Sequence, residues 1–67
     1  MKIGYKIILE DYGNDNKQEA FIEASYISNL QILREDDTKA IKVILNYNIP
    51  IIFKNCSEDF EVNIIKN

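Results

Sequence analysis

Strict alternation of aliphatic and polar positions constrains this chain more than any other feature. Between Lys39 and Tyr47, Ile41, Val43 and Leu45 alternate with Lys42, Ile44 and Asn46. The same period runs through residues 2–10, where Ile3, Tyr5, Ile7 and Leu9 point one way and Lys6, Ile8 and Glu10 the other. Successive side chains leave opposite faces of a strand, so a period of two marks a strand with one buried face. Isoleucine is the commonest residue, and β-branched side chains suit a pleated surface.

The remaining segments divide around these two strands. Asp11 to Gln18, with Tyr12, Gly13, Asn14, Asp15 and Asn16, carries turn chemistry and no periodicity. Glu19 to Ala24 reads as a short strand, followed by a bend at Ser25–Ser28, although Ala20, Phe21, Ile22, Ala24, Tyr26 and Ile27 also fit a helical stripe. Asn29 to Arg34 reads as a strand joined to Lys39–Tyr47 through the acidic turn Glu35-Asp36-Asp37-Thr38, which makes a hairpin. A strand from Ile49 to Lys54 contains Pro50, which lacks an N–H; the strand then lies at an edge, or the proline nitrogen faces away from the ladder. In the last segment Asn55 or Ser57 caps a helix whose first turn holds Glu58 and Asp59, acids that suit the positive end of a helix dipole. Phe60 and Ile64 then share one face of that helix, with Ile65 beside them. The competing reading is a strand, with Phe60, Val62 and Ile64 in alternation.

The expected fold is therefore α+β: an antiparallel sheet of four or five strands with a short C-terminal helix, in one compact domain over residues 1–67. A small all-β barrel is the alternative. A chain of 67 residues with one cysteine and no histidine has no intrachain disulfide and lacks the usual ligands of a structural zinc. At this length a domain buries only ~60 % of the surface its unfolded chain exposes, so a dense aliphatic core and self-association are the remaining sources of stability. No apolar run reaches the ~18–20 residues that cross a bilayer, so no membrane partner is expected. Gly4, Tyr5 and Lys6 interrupt any signal-peptide core, and a lone cysteine suits the reducing cytoplasm.

Sorting strand residues by parity collects Ile3, Tyr5, Ile7, Leu9, Leu30, Ile32, Ile41, Val43, Leu45, Ile49, Ile51 and Phe53 as the core face. The opposite face holds Lys6, Gln31, Lys42 and Lys54, but also Ile8, Leu33, Ile44 and Ile52. A solvated antiparallel face is usually more polar than this. Three arrangements account for this: the sheet curls into a barrel, these four aliphatics form an interface, most simply in a homodimer, or they are scattered exposed side chains of no significance.

The groups that carry catalysis are thin. Histidine, the commonest general base, is absent. Ser25, Ser28, Ser57, Thr38 and Cys56 sit in no recognisable nucleophile motif. Cys56 at a helix start would have a lowered pKa, but a small buried cysteine is the commoner case. No catalytic residue, metal ligand or cofactor is expected. Eleven acids against eight bases give a net charge of −3. The acids cluster at Glu10, Asp11 and Asp15, at Glu35, Asp36 and Asp37, and at Glu58, Asp59 and Glu61. They read mainly as solvated turns, with Mg²⁺ or Ca²⁺ ligation as a lesser reading. Glu35, Asp36, Asp37, Glu58, Asp59 and Glu61 also form a candidate surface for mimicry of a phosphate backbone. Lys6, Arg34, Lys42 and Lys54 are the candidate phosphate contacts of a nucleic-acid or nucleotide-binding domain.

From Tyr26 onward, the hairpin with its acidic tip, the turn at Asn46-Tyr47-Asn48 and the run Ile-Ile-Phe-Lys-Asn-Cys-Ser-Glu-Asp resemble small bacterial and phage proteins of the flagellar FlbD-like kind. That likeness is one of pattern. It implies a last strand leading into an acid-started helix, and a glycine in the second turn, where this chain has Asn46-Tyr47-Asn48. It carries no functional residues across. The leading functional expectation is a non-enzymatic, homodimeric protein-binding or regulatory module, such as a phage or mobile-element inhibitor of a host protein. It would act through the sheet face or the acidic surface.

Overall fold

The computed structural model describes residues 3–67; Met1 and Lys2, where the alternation suggests the first strand begins, lie outside them. Six strands follow one another: β1 (Gly4–Asp11), β2 (Asn16–Glu23), β3 (Gln31–Glu35), β4 (Ala40–Leu45), β5 (Ile49–Phe53) and β6 (Phe60–Lys66). They form two three-stranded antiparallel sheets, with orders β2-β1-β6 and β3-β4-β5. Among the described residues there is no helix, and so none long and apolar enough to cross a membrane.

The expected α+β fold is thus corrected to an all-β one. The alternative shares the strand content, but the strands make two separate sheets instead of a closed barrel. The C-terminal helix expected after Ser57 is β6, in register with β1 from Asp11↔Phe60 to Tyr5↔Lys66. Val62, Ile64 and Ile65 are mediocre helix formers and good strand formers, and pairing with β1 turns Val62 and Ile64 toward the interior. Glu58 and Asp59 belong to a turn, in which the Ser57 hydroxyl accepts the Asp59 N–H at 3.1 Å. β2 also begins earlier than its alternation suggests, directly after a four-residue turn, Tyr12–Asp15.

The sheets bury their facing sides against each other. Ile7 and Leu9 from β1 meet Ile41, Val43 and Leu45 from β4, with Phe53 of β5 and Cys56, in one cluster with almost no exposed surface. Tyr5, Ala20, Ile22, Ile49, Ile51, Phe60, Val62 and Ile64 pack around it. Each fully buried aliphatic is worth roughly 1.5–3 kcal/mol. β5 pairs with β4 alone and is an edge strand, one of the two placements that Pro50 allows.

The turns rely on left-handed residues. The hairpins β1–β2 and β3–β4 both close on four-residue loops whose last residue, Asp15 or Lys39, has φ of 50° or 54°. Between β4 and β5, Asn46 and Tyr47 have φ of 52° and 68°, and the Asn48 N–H reaches the Leu45 carbonyl at 3.3 Å. Two positive φ angles in succession define a type I′ turn, which matches the twist of a hairpin. Asn46 also holds the crossover between the sheets. Its amide oxygen accepts the Ser28 N–H at 2.6 Å, its Nδ2 donates to the Tyr26 carbonyl at 3.0 Å, and its own N–H donates to the Ser28 carbonyl at 2.8 Å.

Candidate functional site

The two-sheet arrangement divides the expected interface residues. Leu33, Ile44 and Ile52 share the outer face of the β3-β4-β5 sheet, whereas Ile8 lies on the outer face of the other sheet, on the opposite side of the molecule. The register places Leu33, Lys42 and Ile52 in one row across three strands, and Gln31, Ile44 and Pro50 in the next. Leu33 and Ile52 are 48 % and 53 % exposed, so aliphatic surface flanks a single lysine. Lys42 does not leave that face strongly charged, because its Nζ lies 3.2 Å from Glu35 Oε1. The result is an apolar patch around a neutralised ion pair, a composition suited to contact with another protein.

The outer face of the β2-β1-β6 sheet differs. Ile8 is half-buried between Glu19 and Asn63, its cross-strand neighbours. Lys6 pairs with Glu19 at 3.4 Å and Lys17 with Glu10 at 3.7 Å. The Phe21 ring lies over Gly4, where an added methyl group would also run into the Ile22 carbonyl. An aromatic ring covering a strand glycine in this way restores the packing the glycine forgoes.

The candidate phosphate contacts are not brought together. Lys6 and Lys42 occupy the two opposite outer faces, each paired with a glutamate. Lys54 is exposed beyond β5, and its carbonyl accepts the Gln18 side chain at 2.8 Å. Arg34 turns inward on β3, and its guanidinium donates to the Cys56 and Ser57 carbonyls and to Asp36. The acidic residues are divided too. Arg34 draws the turn of Asp36 and Asp37 toward the loop of Glu58 and Asp59, whereas Glu35 engages Lys42 and Glu61 lies on the outer face beside Glu10.

Arg34 belongs to a polar network at one end of the interior. Asp11, at the end of β1, is buried; it accepts the Ser57 hydroxyl, the Ser57 N–H at 3.0 Å and the Asn14 amide at 2.9 Å. The Ser57 hydroxyl, ahead of the opposing cost of burial, holds the Asp11 carboxyl below the ordinary carboxylate range. Asn14 also donates to the Asn55 carbonyl at 3.0 Å, and an open cleft of about 280 Å³ lies between Asn14, Arg34, Lys39 and Glu58. Gly13 is required here because a Cβ would collide with the Ser57 side chain. Parity could have found Asp11, which continues the inward series Tyr5, Ile7 and Leu9; its neighbours' turn chemistry concealed it.

The network's hydrogen bonds tie the end of β1 to the loop before β6. A carboxylate held below its ordinary pKa is a poor general base for Ser57. Burial pushes the Cys56 thiol up, and the Asp11 charge adds to the effect, so the thiolate that a nucleophile needs is disfavoured. Ser28 bonds to the Asn46 amide, which is no base, the Thr38 hydroxyl lies 3.5 Å from Glu35 Oε2, beyond the usual reach for proton transfer, and Ser25 is exposed. Among the described residues no three carboxylates or thiols converge to hold a metal ion. No protein-family model, no curated protein and no solved structure matches this chain.

Proposed function

We propose that this chain is a non-enzymatic protein-binding module that docks a larger protein through the outer face of the β3-β4-β5 sheet, in the manner of a small inhibitor or regulator. The observation that carries this reading is the patch of Leu33, Ile44, Pro50 and Ile52 on three adjacent strands, with Lys42 neutralised by Glu35. Burying such aliphatics against a partner is worth roughly 1.5–3 kcal/mol apiece when complete. The separation of Lys6, Arg34, Lys42 and Lys54 supports this over nucleic-acid binding, which draws its affinity from cations gathered on one surface.

Affinity capture with matched face variants tests the reading. Ile52→Glu should abolish retention of the protein partner, whereas Ile65→Glu, an equally exposed change on the other outer face, should leave it intact. Equal retention by both variants would reject the docking face.

A further inference from the structure

The four sheet edges are guarded unequally. Unpaired edge strands invite pairing with other chains, and proteins blunt them with charges, prolines or very short strands. β2 carries Lys17, Glu19 and Glu23; β6 carries Glu61 and Lys66; β5 carries Pro50. β3 carries Arg34 and Glu35 at one end, and its other three residues, Gln31, Ile32 and Leu33, have neither charge nor proline. It also breaks the inward–outward rule. Ile32 pairs with Val43 of the interior face, yet it is 44 % exposed, nearly as much as the outward Leu33 at 48 %. Leu30, which has the parity of Ile32, is 43 % exposed. Among the described strands, β3 alone leaves large aliphatics exposed on both of its faces.

We infer that a second copy of this chain covers this edge, through antiparallel pairing of β3 with its two-fold mate centred on Leu33. The strand is complementary to itself in that register. Leu33 meets the partner's Leu33, the Gln31 amide meets the partner's Glu35 carboxylate, and Ile32 meets the stem of the partner's Arg34, with no like charges directly opposed. Shifting the axis to Arg34 would oppose two guanidinium groups, and shifting it to Ile32 would set Leu33 against Gln31. The paired sheets become one six-stranded sheet of order β5-β4-β3-β3-β4-β5, and the two apolar outer faces become one surface. The pairing uses the backbone edge of β3 and shares only Leu33 with the docking face, whose test rests on Ile52, so it can fail while that reading stands.

A five-residue edge is small beside the ~800 Å² per partner of a standard interface, so the dimer dissociates in the micromolar to millimolar range. Sedimentation equilibrium from about 10 μM to about 1 mM, a span set by that weak affinity, should show monomer and dimer in exchange. The sign of charge at position 32 tests the register. Ile32→Lys opposes the partner's Arg34 and should weaken dimerisation about five-fold, whereas Ile32→Glu should preserve it. Under mild oxidation Leu33→Cys should cross-link, since paired Cα atoms lie ~4.5–5.5 Å apart, within disulfide reach. Asn63→Cys, on the other sheet, should not. Circular dichroism confirms that each variant is folded. A folded monomer at about 1 mM, the weak end of that range, overturns the inference. So does equal loss of dimer in Ile32→Lys and Ile32→Glu, or equal cross-linking of the two cysteine variants.

Discussion

The two sheets contribute similarly to the interior and differently to the surface. In β2-β1-β6 the outer face is laced with ion pairs, the glycine is covered by an aromatic ring, and the one left-handed turn residue is an aspartate, which tolerates that conformation. In β3-β4-β5 the outer face is aliphatic around one ion pair, the edge strand β3 exposes Ile32 and Leu33 on its two faces, and left-handed positions fall on Lys39 and Tyr47, where glycine or asparagine is the usual choice. Most departures from the local rules fall in the second sheet. Such departures concentrate where a protein meets something else, which is why the second sheet carries both proposals.

The largest expected effect tests how far the sheets are equals. Ile7→Ala and Ile41→Ala each empty the fully buried centre of one sheet and should each cost about 2–5 kcal/mol in urea unfolding. A cost confined to one of them would mean that one sheet holds its shape without the other. Next in size is the acid response of Asp11, which ties the first sheet to the loop before β6. Its folded pKa is lowered from 3.8, so its contribution is complete above that value and is lost as pH falls through the lowered one. Thermal melts should show the wild type losing stability below about pH 4, the ordinary aspartate range. Asp11→Asn should flatten that dependence.

The third effect has the opposite sign. Tyr47 is 79 % exposed at φ 68°, and an L-residue in the left-handed region costs roughly 1–2 kcal/mol. Tyr47→Gly should therefore raise stability by about 1 kcal/mol in chemical denaturation, glycine being the preferred second residue of a type I′ turn. No gain would show that the exposed ring has a compensating contact. A gain in stability with weakened partner capture would extend the docking surface to this turn.

Alternation made β1 and β4 legible, and Pro50 narrowed β5 to an edge strand or to a register with the proline nitrogen facing away from the ladder. Parity alone could not say which sheet a face belongs to. Ile8 and Ile44 share a parity, so one sheet was the simplest arrangement, and only the crossover through Ser28 and Asn46 puts them on opposite sides. β6 was concealed for a different reason. Ser57, Glu58 and Asp59 have the composition of a helix start, but Ser57 is engaged by Asp11 from the far end of the chain. Arg34 belongs to the inward series of β3, yet its partners are carbonyls of that same distant loop. Long-range polar contacts of this kind leave no local pattern.

The smallest expected effect lies on the outer face that keeps the rules. Glu10 faces Glu61 across β1 and β6, the one directly opposed pair of like charges there, and Lys17 on the other side offsets it only in part. Like charges opposed across a sheet destabilise it by roughly 0.2–1 kcal/mol. Glu61→Lys turns that contact attractive and should stabilise the fold by a few tenths of a kcal/mol, less at high salt because the pair is exposed. An internal reporter checks the cause. The Tyr12 hydroxyl is pushed above 10.0, first by the Glu61 charge, then by desolvation and by Glu10 and Asp59. Ultraviolet titration of Glu61→Lys should bring that ionisation back toward its ordinary value while sparing the other tyrosines. A stability gain without the tyrosine shift would assign the gain to strand propensity. Both together would show that even the well-guarded face carries one unrelieved repulsion, at the end of the sheet nearest Asp11.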